Sequence, residues 1–63
     1  MEAFTLYGLD QNERLVSTEI LKADEVNDDI RRLAHKRLRS FAAVELWHGP
    51  RCLIRVTRRQ MIQ

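Results

Sequence analysis

Ala42-Ala43-Val44-Glu45-Leu46-Trp47-His48-Gly49-Pro50-Arg51-Cys52-Leu53-Ile54-Arg55-Val56-Thr57 is the stretch that decides how this chain folds. Residues 42–48 and 52–57 both alternate, the period of strands with one face in a core. Gly49-Pro50 punctuates them as a turn. Two registers compete. A two-residue loop sets Val44 opposite Arg55 and Leu46 opposite Leu53, which mixes apolar and charged positions on one face. A three-residue loop, Gly49-Pro50-Arg51, sets Val44 opposite Val56, Leu46 opposite Ile54, Glu45 opposite Arg55 and Trp47 opposite Leu53. The second register sorts the faces and gains an opposite-charge pair, so it is the expected one.

Working back along the chain, residues 3–9 and 15–21 also read as strands. If Phe4 opposes Ile20, then Leu6 opposes Thr18 and Gly8 opposes Val16. Gln11-Asn12-Glu13 is then a three-residue hairpin loop, with Asn12 suited to a left-handed position. Between the hairpins, Val26, Ile30, Leu33, Ala34 and Phe41 recur at helical spacing, and Asp24 is a good N-cap, so residues 24–40 are expected as one amphipathic helix. The expected fold is α+β, in the order ββαββ: an antiparallel sheet of two hairpins packed against one helix. Phe4, Leu6, Val16, Ile20, Val44, Leu46, Ile54 and Val56 are the sheet's expected core face. Residues 1–63 form one domain, with 58–63 a strand extension or a frayed tail.

Net charge is +2, but its distribution is uneven. Residues 1–30 hold eight acids and two bases (−6), and residues 31–63 hold nine bases and one acid (+8), which together give +2. Much of this follows from helix chemistry. Glu25, Asp28 and Asp29 crowd the first turns and Lys36, Arg37 and Arg39 the last, complementing the helix dipole. Asp28 also reaches Arg32 at i+4. Arg37 projects toward the apolar stripe and is expected to snorkel or to pair with an acid at the rim.

The hairpin Glu45-Leu46-Trp47, with Gly49 and Arg51, resembles a group of small uncharacterised bacterial proteins with a C-terminal Glu-Leu-Trp-x-Gly-x-Arg hairpin. Phe4 and Tyr7 match that group's aromatic-rich first strand, and Ala23-Asp24-Glu25 its helix start. The chain departs from the pattern in its first turn, where Gln11-Asn12-Glu13 replaces the usual glycine. The resemblance spans most of the chain and implies no assigned activity.

No residue set reads as a catalytic, cofactor or metal site. The single cysteine excludes an intrachain disulfide, and Cys52, His35 and His48 fall short of the roughly four ligands of a structural zinc. Cys52 and His48 face each other on the helix side in the expected register. A thiolate–imidazole pair is a nucleophile only with an orienting group and an oxyanion site. Neither is present in the sequence, so Cys52 is read as a small core residue. His35 lies on the helix's polar side as a solvated residue. Asp24, Glu25, Asp28 and Asp29 lack a calcium loop's glycine and spacing. The chain is therefore expected to be non-enzymatic, without cofactor.

Two surfaces remain. One helix cannot cover both sheet faces, so Thr5, Tyr7, Leu9, Leu15, Ser17, Glu19, Glu45, Trp47, Leu53 and Arg55 are expected on an open outer face. Its candidate interface residues are Tyr7, Glu45, Trp47, Leu53 and Arg55: an exposed patch of this kind often marks an interface, and Trp, Tyr and Arg are favoured hot-spot anchors. A short chain with a thin core gains from association. The leading expectation is a protein–protein interaction module forming a homodimer through this face, or docking a distinct protein. The runner-up is nucleic-acid binding by Arg32, Lys36, Arg39, Arg58 and Arg59, against which Glu19 and Glu45 interrupt the outer sheet face and Asp28 and Glu25 share the helix's outer side. With no signal-peptide pattern, no membrane-length apolar run and one unpaired thiol, the expected compartment is the cytoplasm.

Overall fold

A computed structural model describes residues 1–58. The elements are β1 (Glu2–Leu9), β2 (Leu15–Ala23), α1 (Asp28–Arg37), β3 (Ala43–His48) and β4 (Arg51–Thr57). The strands form one antiparallel sheet in the order β2-β1-β3-β4. The fold is thus the α+β, ββαββ arrangement that the alternation and helical spacing predict. Apart from Arg58, the expected extension or tail over 58–63 lies outside the described residues, as does Arg59.

Both β2 and β3 pair antiparallel with β1, from opposite sides. They therefore run parallel to each other, a relation no tight turn can make. The crossover between them contains α1, which lies over one sheet face. The core is Phe4, Leu6, Ile30, Ala34, Leu38, Val44 and Leu46, with Leu21, Leu33, Phe41, Ile54 and Val56 half-buried against it. Leu46 is completely buried, and such a side chain contributes roughly 1.5–3 kcal/mol of transfer free energy.

The helix is shorter than expected. Strand β2 runs on to Ala23, so Asp24 is not the cap. Asn27 is, its Oδ1 accepting from the Ile30 amide at 3.0 Å. The C-terminus tightens through Leu38 to His35, Arg39 to Lys36 and Ser40 to Arg37 amide–carbonyl bonds. The Arg58 guanidinium then reaches back from the end of β4, Nε donating to the Leu38 carbonyl at 2.9 Å. These contacts satisfy carbonyls that a helix end leaves without partners.

Both hairpins carry an irregularity near the turn, and it decides which residues face the helix. In the first, the Asp10 amide donates to the Arg14 carbonyl and Gln11-Asn12-Glu13 form the loop, as expected. The left-handed residue is Glu13 (φ 61°) rather than Asn12. The Asp10 carboxylate fixes the loop by accepting from the Asn12 and Arg14 amides at 2.8 and 2.9 Å. Leu9 then opposes Leu15, but Gly8 opposes Ser17, leaving Val16 unpaired as a bulge. One extra residue exchanges the faces of the rest of β2. Phe4 opposes Leu21 and Leu6 opposes Glu19, not Ile20 and Thr18. Val16 and Ile20, expected in the core, are 54% and 62% exposed. Ser17 and Glu19, expected outside, turn to the helix side. There Glu19 meets Arg37, whose Nη2 donates to Oε1 at 2.8 Å, and that is the rim pairing expected for Arg37.

In the second hairpin His48 opposes Arg51 and Trp47 opposes Cys52 across a two-residue turn, Gly49-Pro50, with Gly49 at φ +58°. Leu53 is the unpaired residue, and beyond it Leu46 opposes Ile54, Glu45 opposes Arg55 and Val44 opposes Val56. The expected far register is observed, but it arises from a tighter turn plus a bulge rather than from a three-residue loop. As a result Trp47 faces Cys52, not Leu53, and Cys52 is exposed rather than part of the core.

Candidate functional site

The sheet face away from α1 has no second layer among the described residues. Its side chains can be placed from the pairings as rows across the four strands. One row runs Ile20, Thr5, Trp47, Cys52; the next runs Thr18, Tyr7, Glu45, Arg55; the third runs Leu15, Leu9, Ala43, Thr57. Bulged Leu53 adjoins the first row. Thr18 and Ile20 thus occupy the places expected for Ser17 and Glu19, which makes this face more apolar than the sequence reading implied. Leu15 is 57% exposed and Leu53 38%.

Leu15, Leu9, Tyr7, Trp47 and Leu53 form an apolar band running diagonally from β2 to β4. The Tyr7 and Trp47 rings meet edge to face, centroids 6.2 Å apart at 81°, a geometry favoured by aromatic quadrupoles. Together with Leu9, Leu15 and Glu45 they line an open depression of about 330 Å³.

Beside the band stands a polar network. Trp47 Nε1 donates to Glu45 Oε1 at 2.9 Å, which fixes the indole's rotation. The other Glu45 oxygen accepts from Arg55 Nη1. Arg55 Nη2 donates to Glu13 Oε1 at 2.7 Å, tying the first hairpin's loop to β4. Hydrogen bonds to Glu13 and then Glu45 hold the Arg55 guanidinium's pKa above its ordinary value. Tyr7, Glu45, Trp47 and Arg55 are therefore brought together, with Leu53 at the end of the band. Glu13 was not legible as a member, because its sequence position reads only as a loop residue.

The described residues of the runner-up surface fall in two places. Arg32 and Lys36 on α1 and Arg39 in the turn that follows it share one exposed side, and Arg32 is bonded to Asp29 at 3.1 Å. Arg58 is engaged at the helix C-terminus. His48 and Cys52 do not face each other. The His48 ring packs on Phe4 (centroids 5.1 Å) with Nε2 3.3 Å from Glu2 Oε1, while Cys52 Sγ lies 3.7 Å from the Ile54 carbonyl. Among the described residues no three His, Cys, Asp or Glu side chains cluster as metal ligands would, and no helix is long and apolar enough to cross a membrane.

Compared with protein-family models, curated proteins and solved structures, the chain matches none.

Proposed function

We propose that this chain is a non-catalytic interaction module that pairs with a second copy of itself, outer sheet face against outer sheet face. The observation that carries the reading is the diagonal band from Leu15 through Tyr7 and Trp47 to Leu53 on a face that α1 cannot reach. Domains are built as packed layers, and here the second layer exists on one side only. Two copies stacked face to face would make a sandwich of the ordinary kind, with sheets about 10 Å apart.

The available area suits this arrangement. Strands about 4.8 Å apart, with about 6.7 Å between successive residues on one side, give each outward position about 32 Å² of sheet plane. About a dozen positions make about 400 Å² in projection. Two such faces, with side-chain relief, bury on the order of 1,000 Å², the lower bound for a specific interface. The Glu13–Arg55–Glu45 network presents Trp47 already oriented, so less rotamer freedom is lost on association. Acid–base catalysis finds little support here, because the one carboxylate in the depression, Glu45, is engaged by Trp47 and Arg55. The reading sets the module in a cytoplasm, where a reducing pool keeps the exposed Cys52 thiol unpaired.

Light scattering on the eluting protein tests this. The parent is expected at twice the monomer mass, and Trp47→Ala and Leu53→Asp at the monomer mass. Circular dichroism should show that both variants keep their strands and helix. An unchanged dimer in both variants, or a monomeric parent across the accessible concentration range, would overturn the proposal.

A further inference from the structure

The opposite side of the molecule carries a second surface that self-association leaves open. Arg31, Arg32, His35, Lys36 and Arg39 occupy the exposed side of α1 and the turn that follows it, and with Asp28 they line a shallow depression of about 470 Å³. Arg31, Lys36 and Arg39 have no carboxylate partner among the described residues. By contrast, Arg37 is bonded to Glu19, Arg55 to Glu13 and Glu45, and Arg58 to helix-end carbonyls, and Arg14, Lys22 and Arg51, which also lack a carboxylate, stand apart in the first loop, in β2 and in β4. The ring of His35 is held along this side by Nδ1 donating to the Arg31 carbonyl at 2.9 Å.

Helix chemistry accounts for only part of this grouping. Cations are favoured in the last turn, and there Arg58 already engages the Leu38 and Arg39 carbonyls. Arg31 and Arg32 sit near the middle of a helix of 10 residues, where the dipole offers them little. Arg32 has a local partner in Asp29, whereas Arg31 has none. From Arg31 to Arg39 the stripe is about 12 Å long, the length of about eight helical residues and comparable to the width of a B-form major groove.

We propose that this side of α1 binds the phosphodiester backbone of a nucleic acid, with Arg31, Lys36 and Arg39 neutralising phosphates. Charge complementarity selects the occupant. A lipid surface could be held by charge alone, because the apolar stripe of α1, Ile30 and Ala34, is buried in the core and has nothing to insert. The contacts are to phosphate, so affinity depends on salt and little on base sequence.

Fluorescence anisotropy tests this with three probes: a labelled mixed-sequence single-stranded RNA of about 20 nucleotides, a DNA duplex of equal length, and, by co-sedimentation, vesicles rich in phosphatidylserine. With about three phosphates neutralised on duplex DNA, affinity should fall about 40-fold between about 50 and 200 mM salt. Arg31→Gln/Lys36→Gln/Arg39→Gln should abolish binding at low salt. Arg14→Gln/Lys22→Gln/Arg51→Gln removes the same charge elsewhere and should retain most of it. Whichever nucleic acid binds more tightly identifies the source of the phosphates. Equal loss in both triple variants would reduce the effect to net charge and overturn the assignment. Binding to vesicles without binding to either nucleic acid, or no binding at low salt, would overturn it as well. Because Trp47→Ala leaves the helix surface intact, it separates this proposal from self-association.

Discussion

Gly8→Ala offers a stringent test of how the crossover closes on the sheet. Gly8 is buried on β1 and opposes both Ser17 and Val44. A Cβ there would lie 2.6 Å from Phe41 Cδ2 and 2.8 Å from Cε2 and Cγ, where ordinary contact is 3.4–4 Å. Cγ is the root of the ring, so rotation about the ring axis cannot clear the overlap. The Phe41 backbone is held as well: its amide donates to the Arg37 carbonyl at 3.0 Å, and the next amide, of Ala42, donates to the Leu9 carbonyl at 2.9 Å. Overpacking of this kind costs about 1–3 kcal/mol. Loss of glycine's freedom in the unfolded chain returns about 0.4–1 kcal/mol. The expected net change is about 1–2 kcal/mol destabilising, or about 5–15 °C in Tm for a domain of this size. Urea titration followed by the fluorescence of the single Trp47, with circular dichroism as a second probe, reads it directly. Adding Phe41→Leu to Gly8→Ala should recover part of the loss, so that the pair is less destabilised than the sum of the singles. A midpoint equal to or above the parent's for Gly8→Ala alone would refute the reasoning.

Two further outcomes follow from the helix. Asn27→Ala removes the acceptor for the Ile30 amide and is expected to cost about 1 kcal/mol, whereas Asp24→Ala, at the position the sequence favoured, should be close to neutral; equal losses in thermal melts would contradict the capping assignment. The Arg37 guanidinium's pKa is raised above its ordinary value, first by the hydrogen bond to Glu19 and then by its charge. A raised basic group contributes stability that is complete below its unfolded pKa and lost only as pH rises through the folded one. The Tm difference between parent and Arg37→Met should therefore stay constant between about pH 7 and about pH 10, well below the ordinary arginine range; a difference that shrinks across that window would contradict the assignment.

The second hairpin's far register was legible because Val44, Leu46, Ile54 and Val56 sort onto one face in only one alignment. The turn itself was not, since a three-residue loop and a two-residue turn with a bulged Leu53 give the same pairing beyond it. In the first hairpin the loop was legible but the faces were not. Val16 and Ile20 fit a core as well as Ser17, Glu19 and Leu21 do, and local alternation prefers the wrong set. The observed phase packs Leu21 against the core and brings Glu19 to Arg37, 18 positions away, contacts that strand periodicity does not encode. The helix start was ambiguous because Asp24 and Asn27 are both capping residues, and extension of β2 to Ala23 excludes the first. The candidate face was legible in its Tyr7–Trp47–Glu45–Arg55 part, which depends on β1, β3 and β4. Ile20 and Glu13 were missed, one through the bulge and the other through a loop contact 42 residues away.

The two bulges share a further property. The sheet order makes β2 and β4 its outermost strands, and Val16 and Leu53 lie one on each. A regular, unpaired strand edge is a template on which another chain can add indefinitely, and a bulge breaks the evenly spaced row of amides and carbonyls that such addition needs. Each border of this sheet is thereby interrupted close to its turn. Lateral growth into fibrils is discouraged at both ends, while the broad face away from α1 stays open.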